Sequence, residues 1–123
     1  MNLNHLNLTV PNVSTARSFF EKHFNFKCID VKGDNLLVVL NDSNGFIFTL
    51  MSETFNKNGV STYPQNFHFG FILNSKDEVN NLYKQLKEDG IHLEHEPSKI
   101  RNSFGFYFYF DNLFIEIGHY MTE

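Results

Sequence analysis

The sequence is poor in several residue types, and each scarcity narrows the class of the protein. Its 123 residues include a single cysteine, Cys28, and no tryptophan. A lone cysteine cannot form an intramolecular disulfide, which favours a reducing compartment. Lysine and arginine total 10 against 14 aspartate and glutamate residues. The chain therefore lacks the basic composition typical of nucleic-acid-binding proteins.

Long apolar runs are also missing. No stretch approaches the roughly 20 apolar residues that are needed to cross a bilayer. The first residues show no basic-then-apolar pattern of a secretory signal and begin directly with a strand pattern. We therefore expect a cytoplasmic protein that binds neither membranes nor nucleic acid.

Phenylalanine is the residue type that is unusually frequent. The chain has 15 Phe and 5 Tyr residues. Aromatic side chains favour strands, so the composition predicts a sheet-rich fold with an aromatic interior. A chain of this length forms one folding unit or two small modules.

Two segments that each open on a histidine read as copies of one unit. His5 begins the run HLNLTV, and 63 positions later His68 begins the run HFGFIL. Each run has strand character and is followed by a stretch with helical spacing. Repetition over half the chain length predicts a duplicated fold. Pseudo-symmetry brings equivalent positions together, so the two histidines are candidates for a shared site.

Each half of the chain predicts the order β-α-β-β-β, which makes an α+β fold of two modules. The first module is residues 1–51, the linker is 52–65, and the second module is 66–123. Strands are predicted at 3–10, 26–31, 35–40, 45–51, 66–73, near 91–95, 103–110 and 113–119. Helices follow the first strand of each half, and Ser75 with Glu78 forms a capping box for the second helix. We expect the modules to form a cupped or barrel-like mixed sheet with a central cavity.

Strand alternation places the polar candidates on one face of their strands. In strand 3–10 the apolar Leu6, Leu8 and Val10 share one face. The opposite face carries three polar residues of interest: His5, Asn7 and Thr9. In the same way, His68 lies opposite its phenylalanine neighbours, and Glu116 lies opposite Leu113, Ile115 and Ile117. All three candidate ligands, His5, His68 and Glu116, are thus predicted on the face away from the helices.

An ordered set of motifs resembles the vicinal oxygen chelate superfamily, which includes glyoxalase I, fosfomycin-resistance proteins, extradiol dioxygenases and bleomycin-binding proteins. The matching segments are HLNLTV at 5–10, SFF at 18–20, FNF at 24–26, FHFGF at 67–71, FYFD at 108–111 and IEI at 115–117. The resemblance covers nearly the whole chain and implies the duplicated fold described above.

The resemblance also implies a metal site. Metal-dependent members take ligands from the first strand of each module and a carboxylate from the last strand of a module. Here these positions are His5, His68 and Glu116, with Glu116 also the candidate catalytic residue. Two imidazoles and a carboxylate suit one divalent ion, Zn, Mn, Fe or Ni, and leave coordination positions open for a substrate. Small members close the cup with a second chain, which implies a homodimer.

Two departures from the family patterns narrow the expected activity. The strand at 45–51 has no carboxylate where glyoxalase I carries its second glutamate, which argues against that activity. Phe104, Phe106 and Phe108 occupy the stretch where fosfomycin enzymes bind a phosphonate, although Arg101 lies just before it. The remaining His-His-Glu set is nearest to the ligand pattern of fosfomycin-resistance proteins. The predicted substrate-binding residues are Asn7, Thr9, Arg101, Tyr107 and Tyr109.

Two functions from different classes remain open. The first is a metal-dependent lyase, transferase or dioxygenase that acts on a small oxygenated substrate chelated at the metal. The alternative is a non-catalytic protein of the bleomycin-resistance type that sequesters a small molecule in an aromatic pocket.

Several residues also have plainer, purely structural interpretations. Glu116 is a solvent-facing edge residue in this view, His92 and His95 lie on a solvated edge, His23 lies on a helix surface, His119 is a frayed terminal residue and Cys28 is a small core residue.

Overall fold

The computed structural model describes residues 1–55 and 62–121, and the chain forms two compact units, Met1–Thr62 and Tyr63–Glu123. Each unit has the element order β-α-β-β-β and contains one four-stranded mixed sheet. The α+β fold of two βαβββ modules is therefore confirmed. Of the predicted linker 52–65, residues 56–61 lie outside the described residues, and the boundaries of the linker stay a prediction.

The first unit builds its sheet in the order β1-β4-β3-β2, with β1 parallel to β4 and the other pairs antiparallel. Its elements are β1 (His5–Val10), α1 (Val13–Phe24), β2 (Lys27–Lys32), β3 (Leu37–Asn41), β4 (Ile47–Ser52) and a 3-10 helix, Glu53–Phe55. Asn12 caps the start of helix α1, and its side-chain oxygen accepts a hydrogen bond from the backbone nitrogen of Thr15 at 3.0 Å. It ends at Asn25, which adopts the left-handed conformation common after helices.

Aromatic packing between α1 and the sheet forms the core of the first unit. Phe20 is fully buried, and its ring centroid lies 4.8 Å from that of Phe48. His23 is also buried, with its ring 5.2 Å from Phe19. The prediction that His23 lies on the helix surface is therefore wrong. Residues four apart share one face of a helix, so His23 lies on the core-facing side with Phe19.

Cys28 is also placed differently from its predicted core position. It is half-buried, and its thiol contacts the carbonyl oxygen of Asp30 at 3.4 Å. The pairing of β2 with β3 shifts register between these two residues. Such a bulge rotates side chains away from strict alternation, so a strand pattern alone does not fix their burial.

The second unit repeats this arrangement with the sheet order β5-β8-β7-β6, in which β5 is parallel to β8. Its elements are β5 (Phe69–Ile72), α2 (Lys76–Glu88), β6 (Ser98–Ile100), β7 (Ser103–Phe110) and β8 (Leu113–Tyr120). The Ser75 hydroxyl accepts from the backbone nitrogen of Glu78 at 3.1 Å, and the Glu78 carboxylate accepts from that of Asn74 at 2.8 Å. Both residues of the predicted capping box thus contribute to the start of α2, where Glu78 caps Asn74 rather than Ser75.

Two predicted strands have different limits in the structure. The strand expected near 91–95 lies instead at Ser98–Ile100, because the antiparallel pairing with β7 involves only these residues. The strand expected at 66–73 begins only at Phe69. Asn66 adopts a left-handed conformation with φ of 72°, and the backbone nitrogen of Phe67 donates to the Pro64 carbonyl. His68 therefore lies in a turn-like connection just ahead of β5.

None of the helices in the described ranges has the length and apolar character of a membrane span.

Candidate functional site

Glu116 lies on an interior strand of the second unit. Strand β8 is flanked by β5 and β7, so the interpretation of Glu116 as an edge residue is wrong. Its neighbours Ile115 and Ile117 are fully buried, whereas the Glu116 side chain is 30% exposed on the opposite face. A carboxylate on the open face of a central strand is held by the ladder on both sides and stays accessible to a ligand.

His68 points its ring at this carboxylate. Its Nε2 atom lies 3.5 Å from Oε1 of Glu116, and its Nδ1 atom lies 2.8 Å from the carbonyl oxygen of Asn66. A carbonyl oxygen can only accept, so Nδ1 carries the proton and donates it to Asn66. In the neutral ring Nε2 then has a free lone pair, and it faces a carboxylate that also only accepts. The gap between these two atoms is suited to a cation, either a proton or a metal ion.

Tyr107 contacts both members of this pair. It lies directly opposite Glu116 on β7, and its hydroxyl donates a hydrogen bond to the Glu116 carboxylate. Its ring meets that of His68 edge-on at 5.5 Å. Burial raises the pKa of Tyr107, the negative charge and hydrogen bond of Glu116 raise it further, and the positive charge of Arg101 acts in the opposite direction. Tyr107 is therefore a neutral hydrogen-bond donor at physiological pH.

An aromatic surface adjoins the His68–Glu116 pair. The Phe114 ring stacks on Tyr107 at 5.3 Å and on Tyr109 at 4.6 Å, and His68 meets it edge-on at 5.7 Å. These rings line a cleft of about 520 Å³ together with His92 and His95. The sequence predicted that Tyr107 and Tyr109 belong to the site, but it did not single out Phe114. Phe114 could have been found from the alternation of its strand, because it shares a strand face with Glu116.

Two exposed histidines also line this cleft. His92 and His95 are exposed as expected, although they lie on an irregular segment and not on a strand. Nε2 of His92 lies 4.0 Å from the Glu94 carboxylate. Such an exposed contact contributes little to stability.

A second groove of about 550 Å³ includes the same pair. His68 and Glu116 line it together with Arg101, Ser103 and Tyr120. Arg101 is exposed and sits in the two-residue turn between β6 and β7 with a φ of 56°. The predicted substrate-binding residue Arg101 thus shares a groove with two of the three predicted metal ligands.

Three further predicted site residues lie in the first unit, on β1. His5, Asn7 and Thr9 alternate along β1 with Leu8 and Val10, which are buried. His5 is exposed, and its Nδ1 atom donates to the side-chain oxygen of Asn4 at 2.8 Å. As in His68, a neighbouring oxygen holds Nδ1 and leaves Nε2 available. The joining of His5 with His68 and Glu116 in one site stays a prediction.

Other histidines offer no third ligand within the second unit. His119 is half-buried in β8, and its Nδ1 atom contacts the Leu73 carbonyl at 2.9 Å. The interpretation of His119 as a frayed residue is wrong, because this bond ties the end of β8 to the end of β5. Among residues 1–55 and 62–121, no group of three or more His, Cys, Asp or Glu side chains is gathered to hold a metal ion. His68 and Glu116 form a pair with the right donor chemistry.

Comparison with known proteins identifies the family. The model of the Glyoxalase/Bleomycin resistance protein/Dioxygenase superfamily matches residues 2–114. The chain belongs to this superfamily. The resemblance drawn from the sequence motifs is thereby confirmed. A search of curated proteins gave no match.

Solved structures of superfamily members share the fold. A possible glyoxalase from Bacillus cereus is 38% identical, with a TM-score of 0.80 over 96% of this chain and 98% of that chain. The fosfomycin resistance protein FosX from Listeria monocytogenes is 22% identical, with a TM-score of 0.74 over 97% and 93%. A lactoylglutathione lyase from Agrobacterium tumefaciens is 17% identical, with a TM-score of 0.73 over 96% and 92%. The last two likenesses establish the fold alone.

Proposed function

We propose that this superfamily member is a divalent-metal-dependent enzyme that acts on a small oxygenated substrate. The ligands are His5, His68 and Glu116. The observation that carries the proposal is the His68–Glu116 pair, in which an Nε2 lone pair faces a carboxylate oxygen at 3.5 Å. Two acceptors at this separation repel each other unless a cation lies between them.

The spacing of the pair fits a shared ion. Ligand atoms about 2.0–2.2 Å from one tetrahedral ion lie about 3.4 Å from each other. The separation of Nε2 and Oε1 agrees with that value. The hydrogen bond from Nδ1 to Asn66 is the outer contact that commonly orients a metal-binding imidazole. Nitrogen and carboxylate donors suit Zn, Mn, Fe or Ni and do not select among them.

His5 is proposed as the third ligand on two grounds. It occupies the position in the first module that is equivalent to His68 in the duplicated sequence, and the superfamily pattern has a ligand there. Its Nδ1 atom is held by Asn4, which leaves Nε2 free for a metal. We propose that it acts within one chain or, in a homodimer, together with His68 and Glu116 of a second copy.

A bound divalent ion would act as a Lewis acid towards substrate oxygens. The protein residues then divide the remaining tasks. Glu116 supplies a negative charge beside the open coordination positions, and Tyr107 supplies a neutral hydroxyl donor. Arg101 offers a positive charge to an anionic group of the substrate, whereas Tyr109 and Phe114 offer a flat apolar surface. Asn7 and Thr9 are the proposed polar contacts from β1.

The reaction class is a lyase, transferase or dioxygenase reaction. The absence of a carboxylate from β4, Ile47–Ser52, argues against the two-glutamate site of glyoxalase I. The ligand set that remains is closest to the pattern of fosfomycin-resistance proteins, and a FosX protein is among the fold relatives. Phe106 and Phe108 are buried and offer no polar contact, whereas the groove near Arg101 offers a positive charge to an anionic substrate group.

Metal titration of chelator-stripped protein tests this proposal. Calorimetry with Zn²⁺, Mn²⁺, Fe²⁺ and Ni²⁺ should give one site per chain. His68→Ala and Glu116→Gln should each weaken binding by tenfold or more, as expected for removal of a ligand. The His92→Ala, His95→Ala double variant is the control, because it removes two exposed imidazoles and leaves the pair intact. Equal binding by wild type and the ligand variants would refute the metal site.

The aromatic cleft supports an alternative function, the sequestration of a flat small molecule without catalysis. The stacked rings of Tyr109, Phe114 and Tyr107 form a continuous surface on which a planar ligand can lie. Metal-stripped protein that binds planar aromatic compounds tightly in NMR titrations would favour this function. Phe114→Ala should abolish that binding, whereas Glu116→Gln should leave it unchanged.

A further inference from the structure

We infer that Tyr107 is a positioning residue that holds Glu116 as a one-oxygen ligand and thereby sets which cations the site prefers. This inference rests on the proposed metal function. It concerns Tyr107 acting through Glu116, whereas the sequence pattern suggested only that Tyr107 contacts a substrate. Three features of the second unit carry it: the strand register, the hydrogen bond and the packing of the Tyr107 ring.

The register fixes the two residues opposite each other. Tyr107 on β7 and Glu116 on β8 are directly paired in the antiparallel ladder, so their side chains leave the same face of the sheet. Because β8 is an interior strand, neither backbone can slip without breaking pairs on both sides. The hydroxyl therefore reaches the carboxylate from a constant direction.

The Glu116 carboxylate has two polar neighbours in the second unit. Oε1 faces Nε2 of His68 at 3.5 Å, and the Tyr107 hydroxyl donates its hydrogen bond to the same carboxylate. A carboxylate that accepts this bond has less lone-pair density to offer a metal through both oxygens. Glu116 would therefore offer a bound ion a single oxygen, and Oε1, which faces His68, is the oxygen available for it.

The Tyr107 ring is itself held in place. It stacks on Phe114 with ring centroids 5.3 Å apart and meets His68 edge-on at 5.5 Å. Tyr107 thus contacts both proposed ligands of the second unit. Outer contacts of this kind commonly change metal affinity by about 10- to 100-fold when they are removed.

The one-oxygen mode has a consequence for selectivity. Small ions such as Zn²⁺ take few ligands in a compact geometry, and one carboxylate oxygen satisfies them. The larger Ca²⁺ ion takes more oxygen ligands and readily accepts both oxygens of a carboxylate. Loss of the hydroxyl should therefore weaken Zn²⁺ binding more than Ca²⁺ binding.

The test is a comparison of Tyr107→Phe with the matched control Tyr109→Phe. Tyr109 lies on the same strand two residues along, stacks on the same Phe114 ring at 4.6 Å and is exposed. Competition titrations of chelator-stripped protein give the Zn²⁺ and Ca²⁺ affinities of each variant. We expect Tyr107→Phe to bind Zn²⁺ about tenfold or more weakly. We also expect a fall in its ratio of Zn²⁺ to Ca²⁺ affinity, and wild-type values for Tyr109→Phe.

The outcomes separate this inference from the proposed function. If wild type binds no divalent ion better than Glu116→Gln, the metal function fails, and the positioning role fails with it. If wild type binds Zn²⁺ normally and Tyr107→Phe matches it in affinity and selectivity, only the positioning role is overturned. If both tyrosine variants lose affinity equally, the loss reflects aromatic packing, and the role of the hydroxyl is again overturned. A crystal structure of zinc-loaded wild type in which both Glu116 oxygens bind the ion would also contradict the inference.

Discussion

Gly70 and Glu116 are register partners on neighbouring parallel strands, and the backbone of Gly70 leaves no room for a side chain beside the carboxylate. A Cβ atom added at Gly70 would lie 3.0 Å from Cβ of Glu116 and 2.8 Å from its carbonyl oxygen. The second atom belongs to the backbone of an interior strand and cannot easily move. Gly70 therefore provides the space in which the Glu116 side chain begins.

Gly70→Ala should displace Glu116 and weaken the module. Crowding of this kind costs about 1–3 kcal/mol in the free energy of unfolding. Denaturant unfolding measures that cost, and zinc titration should show a parallel loss of affinity as the carboxylate moves from His68. Combining Gly70→Ala with Glu116→Gln is the control, since no further loss of zinc affinity should follow. A fully stable Gly70→Ala variant with wild-type affinity would contradict the account.

The raised pKa of Tyr107 predicts a specific pH dependence of stability. The ordinary pKa of tyrosine is 10.0, and burial together with the charge of Glu116 raises the pKa of Tyr107 above it. Between pH 10 and the raised pKa of folded Tyr107, unfolding releases the Tyr107 proton. The contribution of Tyr107 to stability is therefore fully present below pH 10, and it is lost as pH rises through the pKa of the folded state. The free energy of unfolding should be measured for wild type and Tyr107→Phe between about pH 9 and pH 11. Wild type should lose stability relative to the variant as the pH rises.

Glu116→Gln provides the second arm of that experiment. It removes the negative charge, so the Tyr107 pKa should fall towards 10.0. Because burial is the largest cause of the shift, the fall should be partial. Ultraviolet titration of tyrosinate, with Tyr107→Phe to assign the signal among the 5 tyrosines, reports the value. An unchanged titration in Glu116→Gln would show that the carboxylate does not act on Tyr107.

The sequence predicted the module order and the positions of Glu116, Tyr107 and Tyr109 because these depend on strand alternation. A strand with one buried face has a period of two, and a slip of one residue would bury Glu116 and expose Ile115. The alternation of residues does not predict that β8 lies between β5 and β7. Edge and interior strands have similar alternation, and their order is a tertiary property.

The limits of strands and the surroundings of histidines were harder to predict. His68 begins an apolar alternation, yet Asn66 turns the chain ahead of it, so β5 starts one residue later. The segment around His92 alternates like a strand but lies outside the sheet, since on the side of β7 away from β8 only Ser98–Ile100 pairs with it. In the first case the deciding feature is a local turn, in which the backbone nitrogen of Phe67 donates to the Pro64 carbonyl. In the second case it is the short pairing of β6 with β7.

His23 tests the packing of the first module. It is only 8% exposed and lies against Phe19. His23→Ala should lower the free energy of unfolding by about 1–3 kcal/mol through the cavity and the lost contacts. His92→Ala is the matched control, because His92 is exposed and its loss should change stability by at most about 0.5 kcal/mol. Similar stabilities for the two variants would place His23 on the surface after all.

The source of the proposed third metal ligand can be decided by mixing chains. The sequence resemblance predicts a homodimer and leaves open whether His5 acts with His68 and Glu116 of its own chain or of the other. His5→Ala and Glu116→Gln chains each lack a ligand and should bind zinc weakly alone. If ligands are shared between chains, a mixed dimer has one site with all three ligands and one with only His68. Because random exchange of equal amounts makes about half of the dimers mixed, zinc binding should return to about a quarter of all sites.

Light scattering of the unmixed proteins at micromolar concentration checks that dimers exist at all. A monomeric wild type that still binds one zinc ion would place the three ligands within a single chain, and mixing would then restore nothing. A mixture of dimers that does not recover zinc binding would lead to the same conclusion. The control is native mass spectrometry of isotope-labelled chains, which must show that the chains exchange between dimers. Recovery of high-affinity zinc binding in the mixture is the result that would establish a site shared between chains.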